Sequence, residues 1–495
     1  MKYLLYLIAI VTAIGLNSCN NFLDVSSSEK ILQKDLFKES HGFRLAVNGV
    51  YRSLSSVDLY GENLTWGFLS VLGHNYEASL LTLPEHMFYG AFFDWKTSHV
   101  EQVCDNIWRK SYNTIANCNN ILQEVEAKDS TFFAGKTLEK NIILGEMYGI
   151  RAMLHFDLLR LFAPAPVIGY QGKTIPYVKK FPEYRPEHLT TSEVLENIIA
   201  DLIKAQTTLG PIDTNISFFE SSDNRYRLSS TEIKEESFFQ FRAFRMNFFA
   251  ATALLARVHI YNQNFDKAFE NAETIYDYHK KGWFNWTDPL YQGEINDIDF
   301  IHPKRPKELV LAFYNNKNFE NYEKYILQSD QGSMKFRMNN MDILFQGDFD
   351  DFRHKGWYNR DGLMHYLTWL RPTGTSFDVQ EIINDQGPLI PIIRFSEMYH
   401  ILIEYYIKKG NISEAVELLN ELRSNRGAKA PIPEDIDPGV LMDKLVNDII
   451  RETLTEGQTF FMFKRLNRNI FNGANDIVMK PENWTAPVPY SETAF

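Results

Sequence analysis

Two stretches of this chain share one pattern, and that pattern limits what the chain can fold into. "ALLARVHIYNQNFDKAFENA" (Ala253–Ala272) can be laid over "HILIEYYIKKGNISEAVELLN" (His400–Asn420), so that Ala268 matches Ala415. Each stretch predicts a helix, a short turn and a second helix that opens with a small alanine near its start. Such an alanine lets two antiparallel helices approach closely, as in tetratricopeptide-like helix pairs. We therefore expect a mainly α-helical scaffold with both alanines buried at helix crossings.

Three further segments have the periodicity and the end signals of helices. Val100–Glu126 is amphipathic, and Leu138–Phe162 stops just before a pair of prolines, which cannot continue a helix. The third segment, Glu193–Thr208, follows Thr191 or Ser192 as the capping residue and is stopped by a Gly-Pro pair. The two repeat units and these segments together predict a mainly α-helical scaffold.

The two repeat units are separated by a long insertion, from about residue 280 to about residue 391. It is rich in glycine, proline, asparagine, aspartate and aromatic residues, and it predicts loops with short strands, one of them at Glu308–Tyr314. Loops of this length on a rigid scaffold are frequent binding sites. We expect one domain, with a helical part at about 19–280, this insertion, and a second helical part at about 391–495.

The chain begins with a short apolar run that stops at a cysteine. Lys2 is followed by the apolar stretch Leu4–Leu16, and the order Leu16-Asn17-Ser18-Cys19 resembles the bacterial lipobox. The run is shorter than the roughly 20 apolar residues of a membrane-spanning helix. We therefore predict that residues 1–18 are a signal peptide and that Cys19 is lipidated. Each buried methylene of the lipid would add about 0.8 kcal/mol to the membrane anchoring. The alternative is an ordinary secretory signal followed by an incidental cysteine.

Charge and cysteine spacing argue against nucleic-acid binding and against a disulfide. The 495 residues carry a net charge of −12 without a dense run of lysine or arginine, so the basic surface of a nucleic-acid-binding protein is absent. Cys104 and Cys118 lie on one predicted helix, where fourteen residues separate them by about 21 Å at 1.5 Å per residue. A disulfide needs Cα atoms within about 7 Å. We therefore predict two buried free thiols.

No pattern in the sequence indicates an enzyme, a metal site or a cofactor. The two "GKT" tripeptides, at 135–137 and 172–174, lack the earlier glycine of a phosphate-binding loop. "DFDDFRHKG", from Asp348, has Arg353 where a calcium loop requires glycine. The histidines show neither HExxH nor paired ligand spacing. The many acidic residues leave a glycosidase pair open, because sequence alone cannot place two carboxylates at catalytic separation.

Six motifs, in order along the chain, resemble the SusD/RagB family. They are "CNNFLDV" (Cys19–Val25), "DNIWRKSYNTIANCNNIL" (Asp105–Leu122), "GEMYGIRAMLHFDLLRLFAPAPV" (Gly145–Val167), "PIIRFSEMYHILIEYYIKKGNISEAVELLNELRSNRG" (Pro391–Gly427), "IIRETLTEGQTFFMFKRLNR" (Ile449–Arg468) and "WTAPVPYSE" (Trp484–Glu492). The resemblance implies a helical fold in which four tetratricopeptide-like helix pairs support a loop-rich binding face.

The same resemblance implies a function. Members of this family are lipid-anchored proteins on the surface of the outer membrane of Gram-negative bacteria, where they cover a SusC-like TonB-dependent transporter. They capture nutrients, most often oligosaccharides and sometimes peptides, and they are not enzymes. The first expectation is therefore a glycan-binding import lipoprotein, and the second is a peptide-binding one on the same scaffold. A carbohydrate-active hydrolase, with two carboxylates converging in a cleft, is the third.

Aromatic residues, which make up 14% of the chain, are the candidates for ligand contacts. Sugar rings stack their C–H faces on aromatic planes, while asparagine, aspartate, arginine or glutamine bind the hydroxyls. For each aromatic residue, packing in the core is the alternative. Candidates outside clear helical periodicity include Phe92, Phe93 and Trp369, and the chief predicted ligand-binding residues are Trp66, Trp95, Trp283, Trp286, Trp357 and Tyr358.

Overall fold

Helices form most of the protein in the computed structural model, which confirms the mainly α-helical fold. The structure describes residues 35–78, 84–215, 237–287, 304–327, 336–346, 348–355, 357–360, 363–369, 371, 384 and 386–493. The predicted signal peptide at 1–18 and Cys19 lie outside these residues. Within them, no helix has both the length and the apolar composition needed to cross a membrane.

The helices of the described residues fall on both sides of the insertion. In chain order they are α1 (Ser40–Leu54), α2 (Phe68–Leu72), α3 (Glu85–Ala91), α4 (Ser98–Glu126), α5 (Lys136–Phe162), α6 (Thr191–Asp213), α7 (Phe248–Tyr261), α8 (Phe265–Lys280), α9 (Asn318–Leu327), α10 (Met338–Phe345), α11 (Phe352–Lys355), α12 (Ser396–Lys409), α13 (Ile412–Asn425), α14 (Pro438–Glu452), α15 (Thr459–Leu466) and α16 (Tyr490–Thr493).

The strands are short and form small antiparallel sheets. They are β1 (Lys173–Pro176) with β2 (His188–Thr190), β3 (Leu309–Tyr314) with β7 (Leu389–Arg394), β4 (Phe336–Arg337), β5 (Trp357–Arg360) and β6 (Leu363–Tyr366) in the order β4-β6-β5, and β8 (Ile470–Phe471) with β9 (Asp476–Ile477). The predicted strand at Glu308–Tyr314 is confirmed as β3. Its partner β7 is the last part of the insertion, so this sheet closes the insertion onto the scaffold.

The helices pack side by side in a continuous series. α4 packs on α5, α5 on α6, α6 on α7, α7 on α8, α8 on α12, and α12 on α13 and α14. Buried side chains surround most of the circumference of α5. One hydrophobic core runs through these helices from Phe37 to Ala486. The helical scaffold is therefore continuous across the insertion, although the insertion separates its two parts in sequence.

The repeat predicted from sequence is confirmed. α7 and α8 form the first helical hairpin, α12 and α13 form the second, and the two hairpins pack together through α8 and α12. Ala268 is 1% exposed and Ala415 is fully buried. Gly410, at the end of α12, has a φ of +81°, which is a left-handed conformation that glycine adopts without strain, and it ends the helix. A small residue thus lies at each crossing where the pattern places one.

Among the three predicted helices, α6 differs most from its predicted bounds. α6 begins after Thr190 because the Thr190 side chain accepts from the backbone N–H of Glu193, while the Glu193 carboxylate accepts from the Thr190 N–H at 2.8 Å. The helix also continues past Pro211 to Asp213, whose carboxylate binds Arg242 at 2.8 Å. A capping box and an ion pair therefore extend this helix by a turn.

The two cysteines follow the prediction. Cys104 and Cys118 both lie on α4, and both are buried free thiols. Burial raises the pKa of each thiol to about 12, so neither is a reactive thiolate at neutral pH.

Arginine–carboxylate pairs join the insertion to the C-terminal helices. Arg426 donates to Glu308, just before β3, and to Glu452 at the end of α14, at 2.6 and 2.5 Å. Glu452 also accepts from Arg305 at 2.7 Å and from Arg353 at 2.9 Å. All five side chains are buried. We call these five residues the arginine cluster.

Candidate functional site

The segment between α1 and α2 is irregular but buried and tightly hydrogen-bonded. Every residue from 59 to 67 is buried. The N–H of Gly61 donates to the carbonyl of Ser56 at 2.9 Å, and the N–H of Gly67 donates to the carbonyl of Glu62 at 2.8 Å. A Cβ on Gly61 would lie 2.4 Å from the carbonyl oxygen of Ser55, so glycine is required there. This segment therefore holds its side chains in fixed positions.

A polar cavity of about 410 Å³ lies where this segment meets α3, α4 and α9. That volume is within the range of roughly 300–1,000 Å³ that is usual for small-molecule sites. Two polar atoms of lining residues, Asn63 Oδ1 and His86 Nε2, are buried without a hydrogen-bond partner among the described residues. The cavity is lined by Val57, Asp58, Glu62, Asn63, His86, His99, Gln102, Val103, Asn106, Lys324 and Tyr325.

Glu62 and Tyr325 form a hydrogen bond in the wall of this cavity. The Tyr325 hydroxyl donates to Glu62 Oε1 at 2.5 Å. Burial raises the pKa of the Glu62 carboxyl to about 7, although the Tyr325 hydrogen bond and the positive charge of Lys324 both lower it. The carboxyl is therefore close to half protonated at neutral pH.

Two histidines, His86 on α3 and His99 on α4, also line the cavity. His99 Nε2 lies 2.8 Å from a carboxylate oxygen of Glu85, at the start of α3. Burial, with the neighbouring His99, lowers the pKa of His86 to about 4, so this imidazole is neutral at physiological pH. A neutral imidazole offers one donor and one acceptor, as a sugar hydroxyl does.

An aromatic row continues from the cavity along α3. The ring of Tyr89 stacks on His99 with 6.0 Å between centroids and 6° between planes. Phe88 lies 5.4 Å from Tyr89, and Phe92 lies 5.1 Å from Phe88. Phe92 is 58% exposed. We call Phe88, Tyr89 and Phe92 the aromatic row; it gives the cavity an apolar ledge at the surface.

Two of the predicted ligand-binding tryptophans lie near this site, and both act as packing residues in this conformation. Trp66 is fully buried and contacts the ring of Tyr325 at 5.5 Å, so it supports the cavity wall from behind. Trp95 is partly buried against Phe68 and Phe93, and its indole N–H donates to the carbonyl of Glu482 at 3.1 Å.

Trp283 and Trp286 lie elsewhere, after α8. Trp283 is buried against Phe249 and Tyr278, with 5.3 Å between centroids in each case. Trp286 packs on Phe395 at 4.4 Å. These contacts differ from those of the cavity residues, so the structure does not gather these tryptophans and the cavity into one site.

Trp357 and Tyr358 lie on β5, where the backbone pairs Trp357 with Tyr366 and Tyr358 with His365 of β6. Trp369, another candidate, is fully buried and its indole donates to Thr455 Oγ1 at 2.7 Å. A ligand-binding role for any of the six chief candidates remains a prediction.

The sequence pattern singles out none of the residues that line the cavity. Glu62, His86, His99 and Tyr325 come from four separate elements, and nothing in the spacing of these residues links them. A partial signal was present at Phe92, which lies in a glycine-flanked, aperiodic stretch and was a candidate for that reason. The missing information is tertiary, because the cavity is lined jointly by α9, which comes from the insertion, and by α3 and α4.

A second, smaller cavity lies inside the scaffold. Its volume is about 60 Å³, and its lining includes Arg160, Arg257, Arg465 and Glu397. The Arg160 guanidinium lies between the rings of Phe156 and Phe461, 4.6 and 4.0 Å from their centroids. A space of this size holds a few water molecules and is too small for a sugar ring. We therefore take the larger cavity as the candidate functional site.

Comparison with known proteins finds relatives of this fold. Residues 21–218 match the model of a SusD-like family described as starch-binding and associating with outer membrane. A SusD superfamily protein from Bacteroides thetaiotaomicron is 19% identical, with a TM-score of 0.65 over 92% of this chain and 98% of that one. A SusD superfamily protein from Bacteroides fragilis is 16% identical, with a TM-score of 0.64 over 93% and 98% of the two chains.

A SusD-like carbohydrate binding protein from Bacteroides vulgatus is 17% identical, with a TM-score of 0.62 over 87% of this chain and 84% of that one. Identities this low show a shared fold, and the family model supplies the match in sequence. No curated protein matches the chain in sequence. The match of residues 21–218 to this family model and the shared fold of the solved structures agree with the resemblance of the six motifs.

Proposed function

We propose that this protein is a lipoprotein of the outer-membrane surface that binds oligosaccharides and delivers them to a SusC-like TonB-dependent transporter. The family description, starch-binding and associating with outer membrane, supports both the ligand class and the location. The observation that carries the proposal is the polar cavity joined to an exposed aromatic row on a SusD-like fold.

The chemistry of the site suits a saccharide. Sugar hydroxyls both donate and accept hydrogen bonds, and the amides of Asn63, Gln102 and Asn106 offer both kinds of partner. The aromatic row presents an exposed face at Phe92, on which the C–H face of a neighbouring sugar unit can stack. We therefore infer that one sugar unit enters the cavity and that the next unit lies along the row.

Isothermal titration calorimetry of residues 20–495, screened first against a panel of soluble glycans that includes maltoheptaose, tests this proposal. Phe92→Ala should weaken binding at least tenfold, because aromatic side chains at the centre of a site contribute about 2 kcal/mol or more. Phe349→Ala is the matched control, since Phe349 is a similarly exposed phenylalanine, 52% exposed, that contacts His354 outside the site. Binding of short peptides without any glycan would replace this proposal with the peptide-binding alternative.

The lipid anchor and the transporter are separate parts of the proposal. Labelling of cells with a fatty-acid analogue should mark the wild type and spare Cys19→Ala. Extraction of outer membranes in mild detergent should recover the protein with a SusC-like β-barrel, because a stable complex buries at least about 1,000 Å². Equal labelling of both forms would contradict the anchor, and isolation only as a monomer would contradict the partner.

Hydrolysis is a second candidate function, for one specific reason. Asp58 and Glu62 both line the cavity, and the pKa of Glu62, which burial raises to about 7, would suit a general acid. A glycoside hydrolase requires two such carboxyl groups. Prolonged incubation of the bound glycan with the protein, followed by chromatography, should recover the glycan intact. Release of shorter fragments, lost in Glu62→Gln, would favour the hydrolase.

A further inference from the structure

Glu62 differs from the other buried acidic residues of the described chain in its partner. Each of the others forms a hydrogen bond with at least one arginine, whereas Glu62 binds a tyrosine. Within the described residues, no arginine or lysine forms an ion pair with Glu62. The arginine-paired acids are Glu139, Glu146, Asp157, Asp201, Asp213, Glu308, Asp351, Glu404, Asp448, Glu452 and Glu456.

This exception coincides with the candidate site. A buried carboxylate needs a compensating charge, because its desolvation costs several kcal/mol. The chain meets that need with arginine wherever the acid joins packed elements. Glu62 is 8% exposed and lines the cavity, so it is the buried acid that a ligand can reach.

The groups that face Glu62 come from every element around it. Tyr325 and Lys324 lie on α9, Asp58 lies on the same segment as Glu62, and the Tyr76 hydroxyl is close enough to interact with its charge. His86 on α3 and His99 on α4 complete the lining. Lys324 donates to Asn321 Oδ1 at 3.2 Å rather than to Glu62.

We propose that Glu62 couples ligand binding to the uptake of one proton, and that the cavity takes an uncharged sugar unit bound to the protonated carboxyl. This inference rests on the proposed function and names the charge state of its ligand. The proton comes from solvent and is bound by the Glu62 carboxylate as the ligand enters. No other bond forms or breaks.

Two physical arguments support the direction of this coupling. A sugar unit that fills the cavity displaces water from the carboxyl, and further desolvation favours the neutral form. The protonated carboxyl then offers one donor and one acceptor to a hydroxyl group, which can satisfy both. The ammonium group of Lys324, in the same lining, disfavours a ligand that carries its own positive charge.

The proposal predicts the direction in which the binding affinity changes with pH. The free carboxyl has a pKa of about 7 because of burial, and the bound carboxyl is expected to have a higher pKa. Affinity should therefore be highest below pH 6 and should fall about tenfold between pH 6 and pH 8. At pH 7 the complex should take up roughly half a proton per ligand.

Calorimetry tests this with maltoheptaose, or with the tightest binder of the glycan panel if maltoheptaose does not bind. Titrations at pH 6, 7 and 8 give the affinity, and two buffers of different ionisation enthalpy at pH 7 give the proton uptake. Glu62→Gln mimics the protonated carboxyl, so it should bind at pH 8 about as tightly as it does at pH 6, with no proton uptake. Glu417→Gln, at an exposed position of α13, is the control and should keep the pH dependence of the wild type.

The outcomes are distinct. Glycan binding with the same affinity at pH 6 and pH 8 would overturn this inference and leave the proposed function intact. Tighter binding at pH 8, or equal pH dependence in Glu62→Gln, would overturn it as well. Failure of every glycan to bind at pH 6 would overturn the proposed function and this inference together.

Discussion

The arginine cluster and the cavity both contain buried glutamates, but their surroundings are opposite. In the cluster, burial alone would raise the pKa of Glu452, yet Arg305, Arg426 and Arg353 hold that pKa well below its usual range. In the cavity, burial raises the pKa of Glu62 to about 7, and its hydrogen-bond donor is the neutral hydroxyl of Tyr325. The two sites differ in the charge of the partner rather than in depth.

This difference separates a structural role from a binding role. An acid that is fully paired by three arginines has no capacity left for a ligand, and it joins the insertion to α14. A buried acid whose partner is neutral lowers the stability of the fold. Such a destabilising group is typical of a binding site, because there a ligand interacts with it. Substitutions of the two glutamates by glutamine should therefore have effects of opposite sign on stability.

The largest effect is expected in the arginine cluster. Glu452→Gln removes the negative charge that three buried guanidinium groups share, and it should lower the free energy of unfolding by about 3–5 kcal/mol. Guanidinium chloride denaturation at pH 7 measures this, with Glu417→Gln as the exposed control. A loss below about 1 kcal/mol would contradict the structural role of the cluster.

The helical scaffold could be predicted from sequence, because the signals for helices are local. Ala268 and Ala415 were placed at helix crossings from a repeat of about twenty residues, and β3 was placed from its apolar run. The bounds of α6 differ from the predicted ones by two residues at the start and five at the end, because the capping box at Thr190 and Glu193 competes with equally plausible caps nearby and the helix continues past Pro211.

The site could be predicted only in its chemical character. An aromatic excess in aperiodic segments indicated stacking surfaces, and Phe92 fits that description. Most of the tryptophans that the same reasoning selected are packing residues, as in the case of Trp66 and Trp283. A tryptophan in an irregular segment is ambiguous, because buried turns such as residues 59–67 are aperiodic too. No sequence pattern marks Glu62, because the absence of an arginine partner among the described residues is a result of three-dimensional packing.

The helix crossings of the scaffold are closely packed, and this packing can be tested separately from the arginine cluster. Ala268→Leu and Ala415→Leu each insert a larger side chain at a filled helix crossing, and each should cost about 1–3 kcal/mol of stability. Thermal denaturation measures this. Ser413→Leu, at an exposed position of α13, is the control and should change stability by less than about 0.5 kcal/mol. Unchanged stability in both alanine variants would contradict the close crossing.

Glu62→Gln should stabilise the protein, in contrast to Glu452→Gln. Because the pKa of Glu62 is raised in the folded state, its favourable contribution is fully present below about pH 4.5 and is lost as the pH rises through 7. Glutamine does not titrate, so the variant should gain about 3 kcal/mol at pH 8 and less than about 1 kcal/mol at pH 5. Urea denaturation at the two pH values measures the difference. A destabilised variant at pH 8 would mean that a charged partner holds Glu62 after all.

The smallest effect tests the partner of Glu62 directly. Tyr325→Phe removes the hydrogen bond that lowers the pKa of the carboxyl, so that pKa should rise above 7, by up to about one unit. The stability difference between Tyr325→Phe and the double variant Tyr325→Phe/Glu62→Gln, followed from pH 5 to pH 9, locates the new midpoint. The same difference between wild type and Glu62→Gln gives the reference midpoint, and Tyr184→Phe, at a tyrosine that is 86% exposed, should leave that reference unchanged. A midpoint that stays at 7 or moves lower would show that the hydroxyl of Tyr325 does not stabilise the carboxylate, and the neutral-partner description of the cavity would then be wrong.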